Sequence, residues 1–309
     1  MARRILYLDL LRGFFIFYVI IIHGIAQIVI HADAEIMTEL PHWFLIVITP
    51  FIILASWAPM FALVSGTANG YTMMVTILKQ PPPTGNLNST ALWQIMKGPV
   101  INSLLLYGLS VLNIYFFHYG ISIGGNIHYS TLTGSIELGR WAWGDPYMFF
   151  FSDAIGLMAI SNLVICGWVA LLWRKQGYQH TKRNVIILTC IGFVWFFSAP
   201  FLHAWLDPLF FSSMQNNAYG TAYVLKLIIG PTESTFPNAA YAIFGACIGF
   251  ALATNAPLKR IQQYGYGFGV MFLIVAICWM LITKTKFILG PENIGKALPF
   301  NVHLIHLVP

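Results

Sequence analysis

An all-α bundle of membrane-crossing helices is the fold this sequence predicts, and three observations predict it. Hydrophobic residues make up 58% of the 309-residue chain and charged residues 8%. Apolar runs of roughly 20 residues, the length of helix that crosses a bilayer core, recur along the chain. Most of the few charges fall between those runs. Such a composition excludes an ordinary soluble domain.

The elements follow in order. The run 5–30 is too long for a signal-peptide core and lacks a small-residue cleavage site, so it reads as a first span. Segment 43–79 is too long for one straight crossing and too short for two. Pro50 and Pro59 divide it into a short entering helix, a break near Ser56 to Pro59, and a span over 58–79. Residues 79–98, with Pro81, Pro82, Pro83 and Gly85, read as an irregular connector. Further spans are expected over 99–118, 146–173, 184–204, 236–255 and 265–283. The piece 221–230 is apolar but only half a span long, so it reads as re-entrant or interfacial. The apolar run 297–309 is a partial eighth span, and the chain is expected to continue past Pro309. The expectation is therefore seven full spans plus that partial one, in a single domain over 1–309 with no internal repeat.

The net charge of +6 would suggest nucleic acid in a soluble protein, but in a membrane protein the sidedness of the charges matters more. If every span crosses, Arg3, Arg4, Lys79, Lys97, Arg174, Lys175, Lys182, Arg183, Lys259 and Arg260 share one side. Nearly all the acids, from Asp33 to Glu292, fall on the other. The positive-inside rule then puts the N-terminus in the cytoplasm. The expected location is the inner cell membrane, with no nucleic-acid partner. Cys166, Cys190, Cys247 and Cys278 all lie in expected spans, and neither a disulfide framework nor metal-ligand spacing is present. A GxSxG nucleophile elbow is also lacking.

The costliest residues stand in the first span. At about 100° per residue, Arg12 and His23 are separated by about 20° around the helix, and Asp9 lies one turn before Arg12 on the same stripe. The axial gap from Arg12 to His23 is about 16 Å, so His23 reaches mid-membrane when Arg12 lies near the headgroups. Ionisable groups in a span are expensive and usually functional. A neutral His can take a proton from a hydroxyl or amine at physiological pH, while Arg12 suits a phosphate or carboxylate. A purely structural account pairs Asp9 with Arg12 at i,i+3 and bonds His23 to a neighbouring backbone.

Other residues are weaker candidates. Asp153, inside the expected fourth span, can orient His23 or Arg12 or simply be a paired buried acid. His118 and His203 read as interfacial, and Asn69, Asn102, Asn113 and Asn238 as helix–helix hydrogen-bonders. Gly66 and Gly70 have the small-xxx-small spacing of close helix contact. Trp141 and Trp143 in the loop 119–145 read as interfacial anchors.

Leu8-Asp9-Leu10-Leu11-Arg12-Gly13, with ten residues between Arg12 and His23, resembles the opening helix of the transmembrane acyltransferase superfamily, which includes acyltransferase-3 and heparan-α-glucosaminide N-acetyltransferase-like proteins. Ala58-Pro59-Met60-Phe61-Ala62-Leu63-Val64-Ser65-Gly66 is similar to their LFFFLSG segment. Lys97-Gly98 with Leu106-Tyr107-Gly108-Leu109 and Asn113, Asp153-Ala154-Ile155-Gly156-Leu157, Phe236-Pro237-Asn238-Ala239-Ala240-Tyr241 with Gly245, and His303-Leu304-Ile305-His306 are similar to further short elements of the heparan-type branch. That branch is favoured because one basic residue, Lys97, stands where the acyltransferase-3 branch carries an Arg-x-x-Arg pair.

The resemblance implies an integral membrane enzyme that moves an acyl group, commonly acetyl, from cytoplasmic acetyl-CoA to a sugar or related hydroxyl or amine acceptor. Carried over by position, His23 would be the catalytic base, with Asp9 and Asp153 supporting it. Arg12 and Lys97 would hold the donor, and Ser65 and Gly66 would line its path. Acyl-CoA would be a co-substrate, with no metal; the partners would be a glycan, glycolipid or small acceptor, membrane lipid and a second copy of the chain. The competing reading is a small-solute or proton-coupled transporter using Asp9, Arg12, His23 and Asp153 as a relay.

Overall fold

The computed structural model describes residues 58–79, 88–118, 121–123, 126–230 and 234–283, together with Leu10, Gly13, Phe14, Phe17 and Trp43. Helix α1 spans Ala58–Lys79, α2 Ser89–Phe117, α3 Thr131–Leu138, α4 Ala154–Leu172, α5 Thr181–Gln215, α6 Tyr219–Ile229, α7 Thr235–Ala253 and α8 Leu258–Thr283. A two-stranded antiparallel ribbon, β1 (Ile121–Ile123) and β2 (Asn126–His128), pairs Ile121 with His128. Five of the helices, α1, α2, α4, α5 and α7, are long and apolar enough to cross a membrane. Apart from the single residues just named, the expected first span, the entering helix and the run 297–309 lie outside the described residues.

Local chemistry explains where the helices start. The α1 helix is described from Ala58, with Pro59 in its first turn, and the expected break near Ser56 to Pro59 lies largely outside the described residues. The α2 helix begins ten residues before the expected 99, because the Asn88 side chain accepts from the Ala91 N–H at 2.8 Å and caps it. Pro99 then sits inside the helix rather than at its start. The expected span 146–173 splits into a 3₁₀ turn over Pro146–Phe150 and, after Asp153, the helix proper. The half-span piece becomes α6, 11 residues long.

The largest difference is α5, which runs 35 residues rather than the expected 184–204. At about 1.5 Å per residue it reaches about 52 Å, well beyond a bilayer core of about 30 Å. Pro200 and Pro208 lie within it. His203, expected at an interface, is instead buried inside α5: one ring nitrogen lies 3.1 Å from Asp207 Oδ1 and the other 2.9 Å from the Phe236 carbonyl.

Contacts between helices give their directions. Ser110 of α2 meets Asp153 and Ser103 meets Asn162, so α2 and α4 are antiparallel. Thr189 and His203 of α5 meet Cys247 and Phe236, so α5 and α7 are antiparallel. The tight α4–α5 turn is clasped by Asn184, whose amide donates to the carbonyls of Leu172 (2.8 Å) and Gly177 (2.7 Å).

The α1 and α7 helices run parallel and touch along a glycine seam. A Cβ at Gly66 would stand 2.1 Å from the Ala242 carbonyl oxygen, and one at Gly245 would stand 2.0 Å from that of Leu63. Gly70 faces Ala246, and Gly249 faces Thr67 and Tyr71, in the same way. Two small-xxx-small stripes therefore face each other, the device by which helices pack closely in lipid.

Two apolar cores stabilise the bundle. One joins α1, α2, α4, α5 and α7 around Met73, Ile77, Ile95, Ile165, Trp173, Leu188, Ile243 and Phe250. The second, at the α6 end, packs Met148 and Phe150 of the 3₁₀ turn with Ile114, Phe210, Met214, Ala222 and Ile229. Ile101, Leu104, Leu105, Leu109 and Leu112 of α2 remain exposed, an apolar face suited to lipid.

Candidate functional site

Where α1 and α2 diverge they leave a cavity of about 450 Å³, closed behind by α4. Its α1 wall carries Ser65, Asn69 and Thr72 one turn apart, with Phe61 and Val64. Its α2 wall is Gly98, Pro99, Asn102, Ser103 and Leu106, and α4 supplies Met158 and Asn162. The wall carries hydroxyls and amides but no charge, and the volume falls within the range of about 300–1,000 Å³ usual for small-molecule sites.

Asn162 organises the floor. Its amide nitrogen donates to Ser103 Oγ at 2.5 Å and to the Pro99 carbonyl at 3.2 Å, while Ser103 donates to the same carbonyl at 2.8 Å. Among the described residues its Oδ1 meets no donor, and neighbouring Ser161 Oγ has no partner either. Both residues are nearly inaccessible. A buried acceptor without a donor costs about 1–3 kcal/mol, so this carbonyl oxygen is a place where a ligand N–H or O–H gains most.

The expected donor-path residues divide. Ser65 lines the cavity and accepts weakly from Asn69 at 3.4 Å. Gly66, one position on, faces the α7 seam, as its spacing with Gly70 predicts. Lys97 is exposed and directly precedes Gly98 of the cavity wall. Asp9, Arg12 and His23, and with them the charged stripe of the first span, lie outside the described residues, as does His306.

Asp153 caps α4. Its Oδ1 accepts from the Gly156 N–H at 2.7 Å and from Ser110 at 2.5 Å, and its Oδ2 from the Asn113 amide at 3.4 Å. A carboxylate here also opposes the positive end of the helix dipole. The sequence reading missed what lies beside it. Lys226, the one charge in the apolar run of α6, is buried with its ammonium 5.6 Å from the centre of the Tyr107 ring and 5.2 Å from that of Tyr223. The two phenol oxygens are hydrogen-bonded at 2.7 Å. A lone lysine in a half-span was the available signal.

No family model, no curated protein and no solved structure matches this chain.

Proposed function

We propose that this chain is an integral membrane acyltransferase that moves an acyl group, acetyl in the simplest case, from acyl-CoA to a hydroxyl or amine acceptor. The observation that carries the reading is the polar cavity between α1, α2 and α4, with Ser65 on its wall and, at its floor, Asn162 Oδ1, which meets no donor among the described residues. A pantetheine arm is a chain of amides and methylenes. Its N–H groups suit Asn162 and its methylenes suit Phe61, Leu106 and Met158. The Arg12-to-His23 spacing supports the same reading from the sequence.

In this scheme Arg12 and Lys97 hold the anionic end of the donor. His23 takes the acceptor's proton as its oxygen or nitrogen attacks the thioester carbonyl, the C–S bond breaks, and the coenzyme leaves as its thiol after protonation. Proximity of thioester and acceptor in a water-poor site supplies most of the rate. Sidedness fits as well. Eight cations, Lys79, Lys97, Arg174, Lys175, Lys182, Arg183, Lys259 and Arg260, gather toward one end of the bundle, whereas Glu137, Asp145, Asp153 and Asp207 lie toward the other. By the positive-inside rule the first end is cytoplasmic, where the donor resides. The full architecture of this reading is seven spans plus a partial eighth, in the inner cell membrane, with the N-terminus in the cytoplasm.

The test is purified full-length protein in nanodiscs with radiolabelled acetyl-CoA. Thioester turnover or labelled product is expected, with His23→Ala abolishing transfer and Arg12→Ala weakening donor binding. Wild-type turnover by His23→Ala overturns the assignment of the base. Solute uptake into proteoliposomes without any turnover or coenzyme-dependent stabilisation replaces the enzyme reading with the transporter.

A further inference from the structure

The turn between α4 and α5 carries Arg174, Lys175, Lys182 and Arg183, and all four are exposed. His180 stands exposed between the two basic pairs. With α4 crossing the bilayer, its 19 residues reach about 28 Å at the helical rise, close to a hydrocarbon core of about 30 Å. The turn that follows therefore stands at headgroup level. The acids nearest to it in sequence are carried away by the same helices. Asp153 caps the opposite end of α4, and Asp207 lies about 39 Å along α5 from Thr181. Both separations exceed the screening length of about 8 Å at physiological ionic strength.

The turn is held in one shape from beneath. Asn184 is buried, and its amide donates to the carbonyls of Leu172 and Gly177, one before each basic pair and one between them. The Gly177 N–H donates to the Arg174 carbonyl at 3.0 Å, and a Cβ at Gly177 would stand 2.0 Å from the Leu172 carbonyl oxygen, so the chain closes there only with glycine. Lys175 has a φ of 55°, in the left-handed region that glycine enters freely and other residues enter at a conformational cost. A cation is kept at that position against the cost. The closed turn gathers both pairs at the end of two adjacent helices, and the positive end of the α5 dipole adds to their field.

We propose that the α4–α5 turn is a binding site for the phosphate of an anionic lipid headgroup in the leaflet it faces. Phosphate oxygens accept charge-assisted hydrogen bonds from Arg and Lys, and a guanidinium can meet two of them at once. Clusters of about four or more such residues directly beside a span recognise anionic lipid in this way. A soluble phosphate has the same chemistry, but the bilayer itself holds lipid phosphates at the height of this turn. The inference is independent of the acyl-transfer reading.

The experiment compares the full chain in phosphatidylcholine nanodiscs with and without phosphatidylglycerol, at constant ionic strength. Phosphatidylglycerol is expected to raise Tm. A variant combining Arg174→Gln, Lys175→Gln, Lys182→Gln and Arg183→Gln is expected to lose at least half of that rise. A control combining Lys259→Gln and Arg260→Gln, at the start of α8 and at the same end of the bundle because α5 and α7 are antiparallel, is expected to keep it. Should the fourfold variant fail to insert or fold, labelling of the wild-type protein by an amine-reactive reagent, read by mass spectrometry, decides. Phosphatidylglycerol is expected to slow labelling of Lys175 and Lys182 at least threefold and that of Lys259 by less. No rise in Tm with phosphatidylglycerol, an equal loss in both variants, or equal slowing at Lys259 overturns the proposal. A larger rise from inorganic phosphate in phosphatidylcholine alone also overturns it, by assigning the turn to a soluble anion.

Discussion

The two sides of α1 solve opposite problems with neighbouring residues. Toward α7 it presents Gly66 and Gly70, and the backbones close until no Cβ would fit. Toward α2 it presents Ser65, Asn69 and Thr72, and the helices part around a cavity of about 450 Å³. Lipid gives helices no hydrophobic reason to associate, so closeness depends on small residues and on packing. A shift of one position along one helix thus separates a structural seam from a polar cavity wall.

The severest way to break this contrast is Gly245→Leu. Its Cβ would overlap the Leu63 carbonyl, both backbones would have to part, and a loss of about 3 kcal/mol or more is expected, read as a lowered Tm or a failure to recover monodisperse protein. A variant as stable as wild type would show that the seam does not hold the bundle. Next is Asn162→Leu, which removes the donor-less oxygen and fills the floor. Acetyl-CoA turnover is expected to fall at least tenfold while Tm holds or rises; full activity would separate the cavity from the chemistry.

Asp153 gives a smaller effect. Asp153→Ala removes a cap and is expected to cost about 1 kcal/mol, while Asp153→Asn, an equally good cap, stays within a few tenths. A large loss of turnover in a stable Asp153→Asn protein would support the catalytic role that its sequence position suggested. The smallest effect is a pH slope. The folded-state value of Lys226, about 8, lies below the ordinary 10.5, so between them the unfolded chain binds more protons and stability increases with pH. Tm is expected to rise across that window in wild type and to stay flat in Lys226→Met.

Much of this was legible in the sequence. Apolar length gave the helical membrane bundle, and the Gly66–Gly70 spacing gave the seam. Its partner stripe, Gly245 and Gly249, carries the same signal, but which two stripes meet is a tertiary fact. Caps defeated the boundaries: Asn88 starts α2 inside a stretch that proline and glycine mark as irregular, and Asp153 reads as an acid buried in a span until its contact with the Gly156 N–H shows it to be an end. The cavity was legible only through Ser65 and Asn69, because Asn162 acquires its meaning from Ser103 and Pro99 on another helix. Lys226 was visible as a charge but not as a buried one.

The length of α5 has a consequence for how the molecule comes apart. Trp205 and Phe201 are broadly exposed on it, and Trp favours the headgroup level of a bilayer. With Trp205 at that level, about 36 Å from Thr181 at the helical rise, the turns beyond it stand in water. Phe210 and Met214, with α6 and the Pro146–Phe150 turn, then form an apolar core whose surroundings are aqueous, while the glycine seam is surrounded by acyl chains. Placed so, one chain is held together in two solvents by two different forces. Urea is expected to loosen the α6 end first and leave the seam intact, whereas a harsh detergent attacks the seam.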